Sequence, residues 1–416
     1  MSNNFRFWVG IDWAKANYQI CTIDSDGEIQ KEFVVDHSGS GIAEFLEWLI
    51  NLAKGDSSVI ALAIEMPQGS MVESLAERGF AIFSINPKQV DRFRDRHTVA
   101  GAKDDRRDAF VIADSLRTDE HCFHRVRLDD PLTIQLRELS RMEEDLRQDT
   151  NRTMNQFRQQ LHRYFPQLLV LSPGADEPWL WELLDLAPTP AKASRLTKGR
   201  IEKLLKAHRI RRLEAETVQR ELRTPALQLA PGSVDAASRH ALMLLPRLRL
   251  LRLQRQEIAS QIEKLLEQMS EPEQSEGQSD KHRDAKILLS CPGIGRIIAA
   301  TMLSEGSQAI RERDYHALRS YAGTAPVTKQ SGRKRVVQMR KACNPRLRDA
   351  LYHWARVASM CEDRSREHYK QLRRQGQTHG RALRGIADRL IGMLIAMLKT
   401  STLYQPSRRP SLNLAA

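Results

Sequence analysis

The pattern of apolar residues changes near residue 130, and this change does most to constrain the fold. Before it, short β-branched or aromatic runs alternate with helical patterns, as in an α/β layer. After it, long charged segments with helical spacing replace the strands. Because 416 residues also exceed what one core usually holds, we expect two or three domains.

The first 125 residues predict an RNase H-like α/β layer. Three strands joined by tight turns come first, and alternating helices and strands follow. The predicted strands are residues 5–13, 18–25, 28–36, 59–65 and 81–85. Predicted helices cover about 41–52 and 70–78, and another begins after Asn86-Pro87. The expected fold class is therefore α/β at the N-terminus and all-α beyond it.

Two long helices are predicted in the middle of the chain, over residues 133–163 and 236–269. Each carries apolar residues at helical spacing, so we expect a long antiparallel coiled coil. Prolines interrupt residues 167–235, which are predicted to be an insertion at its tip. The predicted domains are 1–128, 129–270 and 281–405, the last one helical, with a linker at 271–280 that has no large apolar side chain.

Positive charge is concentrated in the last third of the chain. Residues 281–416 hold 27 Lys and Arg against 9 Asp and Glu, whereas residues 1–280 hold 38 against 43. Lys and Arg neutralise phosphates and release counterions, so nucleic acid is the expected partner of the C-terminal domain. A basic surface that only aids solubility is the alternative.

Composition and spacing also exclude several classes of protein. No run of about 18 apolar residues is present to span a membrane, and the first ten residues lack the pattern of a signal peptide. We therefore expect a cytoplasmic protein. Five scattered cysteines without a C-x-x-C pair argue against disulfides and structural zinc, and we expect buried, reduced thiols.

Four acids form the candidate catalytic cluster. Asp12 and Glu65 end two apolar strands, so we expect both at one edge of a sheet. Asp105 and Asp108 are three residues apart at the predicted start of a helix, so they share a face. Carboxylate oxygens suit Mg²⁺ or Mn²⁺, and two such ions can promote attack on a phosphodiester.

Neighbouring acids leave the ligand set open. Asp104 competes with Asp105 for the same role, and Asp114 is a weaker candidate on the same helix. Each acid alone also has a structural alternative as a turn residue, a helix cap or an ion-pair partner. Acids that end buried strands need a cation or hydrogen-bond donors, however, so the combination favours a metal site.

The C-terminal domain contains two candidate phosphate-binding segments. Residues 286–300 predict a helix-hairpin-helix-like segment in which Gly293 and Gly295 let backbone N–H groups approach a phosphate. A plain helix–helix turn is the alternative. Further on, a loop of small residues leads into a predicted nucleic-acid-binding cluster of Lys and Arg. This cluster comprises Lys329, Arg333, Lys334, Arg335, Arg340, Lys341, Arg346 and Arg348.

Ser331 lies within this basic cluster, where phosphates are expected to gather. A serine hydroxyl at such a place is able to attack phosphorus if a base or a metal ion removes its proton. A Ser-Gly pair in a loop is, however, ordinarily a turn. The chemistry of the residues alone leaves both interpretations of Ser331 open.

Ordered motifs occur along most of the chain. In the N-terminal half they are Gly10-Ile11-Asp12, Glu65 followed by Gly69, Ile85-Asn86-Pro87 and Lys103-x-Asp105-x-x-Asp108-Ala109. In the C-terminal half they are Pro292-Gly293-Ile294-Gly295, Ala322-Gly323 with Pro326, Gln330-Ser331-Gly332 and Asn344-Pro345-Arg346-Leu347-Arg348. Together these motifs resemble the DEDD-type insertion-sequence transposases of the IS110 family, which act as bridge-RNA-guided recombinases.

The resemblance implies a RuvC-like fold in which four acids hold Mg²⁺ or Mn²⁺ and a serine attacks DNA to form a phosphoserine link. The acids would be Asp12, Glu65, Asp105 and Asp108, and the serine would be Ser331. The implied partners are donor DNA, target DNA and a structured non-coding guide RNA. The resemblance also implies homodimers that assemble into tetramers with composite sites, acting at the nucleoid.

Two other functions stay open. The first is a RuvC-like nuclease that cleaves DNA with metal-activated water and forms no covalent intermediate, so that Ser331 is only a turn residue. The second is a non-catalytic scaffold that binds nucleic acid and carries vestigial acids. Cleavage products of DNA distinguish these functions from recombination.

Overall fold

The chain divides into two units, Met1–Asp130 and Pro131–Ala416. The computed structural model describes residues 5–13, 16–65, 69–97, 104–230, 232–270, 279–332 and 334–406, apart from the side chains of residues 88 and 279–283. Most of the expected linker lies outside the described residues. The finer division into domains at 1–128, 129–270 and 281–405 stays a prediction.

A mixed sheet forms the centre of the first unit. Its strands are β1 (Phe7–Trp13), β2 (Asn17–Asp24), β3 (Ile29–Asp36), β4 (Ile60–Ile64), β5 (Ala81–Ser84) and β6 (His124–Arg125). They are ordered β3-β2-β1-β4-β5-β6, and β1, β4 and β5 are parallel while the other pairings are antiparallel. The five predicted strands are confirmed with ends shifted by at most two residues, whereas β6 was not predicted.

Helices cover both faces of this sheet. They are α1 (Gly39–Leu52), α2 (Ser70–Glu77), α3 (Pro87–His97) and α4 (Asp105–Thr118). Apolar residues of α1 and α2 form one core with Val9 and Ile11 of β1. On the opposite face, Val111 and Leu116 of α4 form another core with the alanines of β4. A mixed sheet between helices fits the expected RNase H-like layer.

The second unit is mainly helical. Its helices are α5 (Pro131–Tyr164), α6 (Gln167–Leu171), α7 (Pro178–Leu186), α8 (Pro190–Ala193), α9 (Lys198–Ala207), α10 (Ala215–Leu222), α11 (Ser233–Gln268), α12 (Ser279–Ser290), α13 (Arg296–Glu305), α14 (Ser307–Arg311), α15 (Tyr315–Tyr321), α16 (Pro345–Cys361), α17 (Asp363–Arg374) and α18 (His379–Lys399). Between α15 and α16, the strands β7 (Val327–Ser331) and β8 (Lys334–Gln338) form an antiparallel hairpin. The sequence predicted a loop of small residues leading into a basic cluster here, within a helical domain, and this prediction missed the hairpin.

The long helices α5 and α11 pack against each other and run antiparallel. Arg255 donates to Glu143 at 2.8 Å, and Arg247 lies 4.0 Å from Asp149, so residue numbers rise on one helix as they fall on the other. At one end both helices join a core with α6 to α10 that contains Trp179. Residues 167–235 therefore pack at the end of the helix pair, while an insertion at the tip of a coiled coil stays a prediction.

The five cysteines were expected to be buried, reduced thiols. All five cysteines are free, but the prediction that they are buried is wrong for Cys361, which is exposed, and for Cys122 and Cys343, which are half-buried. Their scattered positions had carried no information about burial. Within the described residues, no helix is both long enough and apolar enough to cross a membrane.

Candidate active site

Asp12 and Glu65 lie side by side at one edge of the sheet. In the parallel pairing of β1 with β4, Ile11 is opposite Ile64, so the next residue on each chain is one of these two acids. Parallel neighbours are spaced about 4.8 Å apart. The expectation that both acids lie at one sheet edge is therefore supported by the strand register.

Asp12 belongs to the face of the sheet that α4 covers. Successive residues of a strand point to opposite faces, and Val9 and Ile11 pack toward α1 and α2. Gly10 lies on the other face, where a Cβ on this residue would be 1.9 Å from the carbonyl oxygen of Ala109 in α4. By the same alternation, Asp12 is on the α4 face.

Glu65 directly follows Ile64, the last residue of β4. Ala61 and Ala63 of β4 pack with apolar residues of α4, including Val111. Glu65 is two residues beyond Ala63, at the end of β4 where this row of alanines stops.

Helix α4 runs antiparallel to β1 and begins at the acidic edge. Its C-terminal end is located by Arg117, whose Nη1 donates to the backbone oxygen of Ser25 at 3.3 Å, beside the start of β1. Its other end, with Asp105 and Asp108 in the first turn, consequently lies toward the carboxyl ends of β1 and β4. All four predicted acids therefore belong to one edge of the first unit.

The two acids of α4 differ in exposure. Asp108 is buried, and its Oδ1 accepts a hydrogen bond from Nε of Arg94 at 2.6 Å. Asp105 is exposed. Asp104 is the N-cap of α4, because its side chain accepts from the N–H of Arg106 at 3.3 Å. Asp114 pairs with Arg117. Asp104 therefore caps α4 and Asp114 forms an ion pair, while the choice among these acids as ligands stays a prediction.

A divalent cation fits the donor chemistry of this edge. Four carboxylates offer the hard oxygen ligands that Mg²⁺ and Mn²⁺ prefer. Among the described residues, however, no three side chains of His, Cys, Asp or Glu stand close enough to hold one ion as they are arranged. Asp108 is engaged by Arg94 in this arrangement.

Ser331 lies at the exposed tip of the hairpin in the second unit. It ends β7 and is paired with Lys334, the first residue of β8. Gly332 follows with a φ of +55°, which suits the tight turn between the strands. Lys329 and Arg335 are exposed on the same hairpin. The predicted serine is thus accessible and surrounded by cations.

The segment before β7 is anchored by Asp388 of α18. Its carboxylate accepts from Nε and Nη2 of Arg319, both at 2.8 Å. The hydroxyl of Thr324 lies 3.3 Å from Oδ1 of Asp388, and Tyr315 donates to Oδ2 at 3.2 Å. This network connects α15, α18 and the start of the hairpin.

The segment after β8 is anchored by Glu305 of α13. Asn344 donates through Nδ2 to Glu305 at 2.8 Å, and Arg141 donates to the other carboxylate oxygen at 2.9 Å. The backbone N–H of Asn344 donates to the carbonyl of Tyr321 at 2.8 Å. Burial alone would raise the pKa of Glu305, but the bonds from Arg141 and Asn344 outweigh it and lower this pKa.

The predicted phosphate-binding glycines have different surroundings. Gly293 has a φ of +82°, and a Cβ there would be 2.8 Å from the backbone nitrogen of Ala358. Trp354 also donates to the carbonyl of Pro292 at 2.9 Å. The close approach that Gly293 permits is therefore to α16, which favours a helix–helix turn, whereas Gly295 is exposed at the start of α13.

The predicted basic residues follow the hairpin and the start of α16. Lys341 is exposed and Arg340 is half-buried, donating to the carbonyl of Ala325 at 3.4 Å. Arg346 lies 3.6 Å from Asp145, and Arg348 lies 3.6 Å from Asp349. Arg333 lies outside the described residues. Of the described members of this cluster, Lys329, Lys334, Arg335 and Lys341 are exposed, and the first three lie on the hairpin.

Sequence reasoning missed the residues that support both sites. Arg94 is 14 positions from Asp108, and Asp388 is 69 positions from Arg319. No spacing rule connects residues so far apart in the chain. The one local signal was the spacing of Arg94 three residues after Asp91 in a predicted helix. Such a spacing indicates an ion pair on the helix surface.

Comparison with protein families shows that this chain is a transposase of the DEDD type. Residues 9–166 match a transposase family model for DEDD members of IS110, and residues 285–370 match a model described as the transposase IS116/IS110/IS902 family. The chain belongs to the IS110 family of transposases.

Several relatives are similar to this chain. A putative transposase, y4uE, of Sinorhizobium fredii is 47% identical over 55% of this chain, and the match spans 64% of that relative. The mini-circle putative transposase for IS117 of Streptomyces coelicolor is 32% identical over 98% of this chain and 97% of its own length. The insertion element IS110 uncharacterized 43.6 kDa protein of the same species is 30% identical over 76% of this chain and 75% of its own length.

Proposed function

We propose that this transposase cuts and rejoins the DNA strands of an insertion sequence by way of a covalent serine intermediate. Asp12, Glu65, Asp105 and Asp108 would hold Mg²⁺ or Mn²⁺. The observation that carries this proposal is the placement of all four acids at one edge of the sheet. A bound divalent ion would supply positive charge that stabilises the phosphate oxygens as they gain charge.

Ser331 would be the nucleophile. Its Oγ attacks phosphorus, its proton passes to a base or to water, and the deoxyribose oxygen leaves as a hydroxyl after protonation. A phosphoserine link then joins the protein to one DNA end. In the second step a DNA hydroxyl attacks the same phosphorus and Ser331 is released, so the number of phosphodiester bonds is unchanged.

Exposure and charge support this role of Ser331. The hydroxyl is exposed between Lys329 and Lys334, whose charges attract the DNA backbone. Anchors at Thr324 and Asn344 restrain both ends of the segment that carries it. A restrained nucleophile loses less conformational freedom when it meets the phosphate.

Denaturing gels of cleaved, end-labelled DNA test the proposal. We expect a protein–DNA adduct with the wild type and with Ser359→Ala, a serine control on α16, and no adduct with Ser331→Ala. We expect Asp12→Ala and Asp108→Ala to abolish all DNA processing. Free DNA ends produced equally by wild type and Ser331→Ala would instead indicate a nuclease that uses water. DNA processing that survives loss of the acids would indicate a scaffold.

We also propose that a structured non-coding RNA guides the protein to donor and target DNA, and that homodimers assemble into tetramers. The net positive charge of residues 281–416 suits two polyanions. We expect RNA to co-purify with the protein. Once RNA and DNA are added, we expect the mass in solution to correspond to a complex that contains four protein chains. Strand exchange by RNA-free protein would contradict guidance.

A further inference from the structure

Arg94 of α3 pairs with a buried carboxylate at the acidic edge. Its Nε donates to Oδ1 of Asp108 at 2.6 Å, and its Nη1 donates to Oδ1 of Asp91 at 2.9 Å. The side chain of Asp108 is 4% exposed, whereas that of Asp91 is 66% exposed. A buried carboxylate is costly without a counter-charge, so this pair stabilises the first turn of α4 in its packed position.

The charge of this guanidinium is permanent. Burial opposes the charged form of Arg94, but the hydrogen bond and the charge of Asp108 outweigh burial and raise the pKa of Arg94 above its usual value. The Arg94–Asp108 pair therefore places a fixed positive charge against this buried carboxylate. Any other cation that approaches Asp108 meets a positive charge already in contact with it.

We propose that Arg94 competes with the divalent ion for Asp108. The guanidinium compensates the charge of Asp108 before the ion binds, and it leaves Oδ1 of Asp108 when the ion arrives. This inference rests on the proposed metal site. Two cations at one carboxylate repel each other, so the ion must overcome the Arg94–Asp108 pair, and the affinity for the ion is correspondingly limited.

Asp91 provides a place for the displaced side chain. It already accepts a bond from Nη1 of Arg94 and is three residues earlier on the same helix. The guanidinium can therefore release Asp108 and keep one ion pair.

Mn²⁺ titration calorimetry of the full chain tests this competition. Arg94→Gln should bind Mn²⁺ about tenfold more tightly than the wild type, because the ion no longer displaces a cation. Arg96→Gln is the matched control, since Arg96 lies on the same helix but pairs with Asp119 at 2.8 Å. The control should bind Mn²⁺ as the wild type does.

Thermal unfolding adds a measurement that does not depend on activity. In the presence of a chelator, Arg94→Gln should unfold at a lower temperature than Arg96→Gln, and Mn²⁺ should raise its unfolding temperature by more than it raises that of the wild type. If Arg94→Gln does not fold, Arg94→Lys permits the same comparison. Lys keeps the charge but loses the guanidinium Nε, so a smaller gain in Mn²⁺ affinity is expected.

Two results would overturn the role of Arg94. An unchanged Mn²⁺ affinity would show that the pair does not oppose the ion. A loss of about 10- to 100-fold would show that Arg94 orients Asp108 as a ligand instead of competing for it. If Asp108→Asn abolishes Mn²⁺ binding in either case, the metal site itself stands. If the wild type binds no Mn²⁺, both the metal site and the competition fail.

Discussion

Asp388 and Glu305 hold opposite ends of the segment that carries Ser331. Asp388 contacts Thr324, three residues before β7, and Glu305 accepts from Asn344, six residues after β8. The strands between these anchors are almost entirely exposed. The position of the hairpin therefore depends on two carboxylates that take no part in the proposed chemistry.

Removing the charge of Asp388 should loosen the hairpin. Asp388→Asn loses one oxygen acceptor of the Arg319 pair, and hydrogen bonds to charged groups contribute about 1.5–3 kcal/mol. We expect a loss of unfolding free energy at the lower end of that range, because the pair is partly exposed. Hydrogen–deuterium exchange in residues 327–338 should accelerate.

Asp349→Asn is the control for Asp388→Asn. Asp349 pairs with Arg348 on the surface, so its loss should change neither stability nor exchange appreciably. Unchanged exchange in the hairpin of Asp388→Asn would show that the Asp388 anchor is dispensable.

The contribution of Glu305 should depend on pH. Its pKa is lowered in the folded state, so the stability it provides is present above its unfolded pKa, near 4.5, and is lost as the pH falls through the folded value. The wild type should therefore exceed Glu305→Gln in unfolding free energy at neutral pH. The difference should shrink as the pH is lowered below about 4.5, as measured by denaturant unfolding.

Glu216→Gln provides the comparison for this pH dependence. The pKa of Glu216 is also lowered, by hydrogen bonding to Lys198, but that pair is exposed to solvent. Its loss should have a much smaller effect at any pH. A difference between wild type and Glu305→Gln that stays constant with pH would contradict a charge-based anchor.

Gly10 should tolerate no side chain. A Cβ would lie 1.9 Å from the carbonyl oxygen of Ala109 and 2.7 Å from the backbone nitrogen of Ala113, so Gly10→Ala must push α4 away from β1. Overpacking of this kind costs about 1–3 kcal/mol of unfolding free energy. Gly39→Ala is the control, because nothing beyond its chain neighbours and the backbone of its own helix lies within 4 Å of its Cβ position. Equal unfolding temperatures for the two variants would contradict this packing.

The cations of the hairpin should determine how DNA binding responds to salt. Lys329, Lys334 and Arg335 are exposed beside Ser331. Each single change to Ala should make the negative slope of log affinity against log salt shallower by about one. The affinity should fall by a similar factor for all DNA sequences. Lys198→Ala removes a lysine that pairs with Glu216 and should leave the slope unchanged. Fluorescence anisotropy at several salt concentrations measures these slopes.

Much of the first unit was predictable because its strands are short, apolar and separated by recognisable turns. Asp24 illustrates this, since its Oδ1 accepts from the N–H groups of Asp26 and Glu28 and Gly27 has a φ of +88°. Strand β6 has only two residues, too few for any pattern. The hairpin β7–β8 was missed because its strands are exposed on both faces and carry no apolar alternation.

The residue types of the candidate site were more predictable than its contacts. The acids of two strand ends could be placed at one edge, because parallel strands present their carboxyl ends together. The pairing of Arg94 with Asp108 could not be predicted from the sequence, since it depends on how α3 packs on α4. The role of Gly293 in packing against Ala358 likewise follows from tertiary contacts.

The close approach of Gly10 to the backbone of Ala109 determines how a packing defect at Gly10 would displace the acids of this edge. It joins backbone to backbone, so no rotamer change can absorb a misfit. Asp105 and Asp108 belong to the same rigid helix and shift together whenever that helix lifts. A substitution at Gly10 would thus misalign both acids by a common displacement and leave their mutual spacing intact.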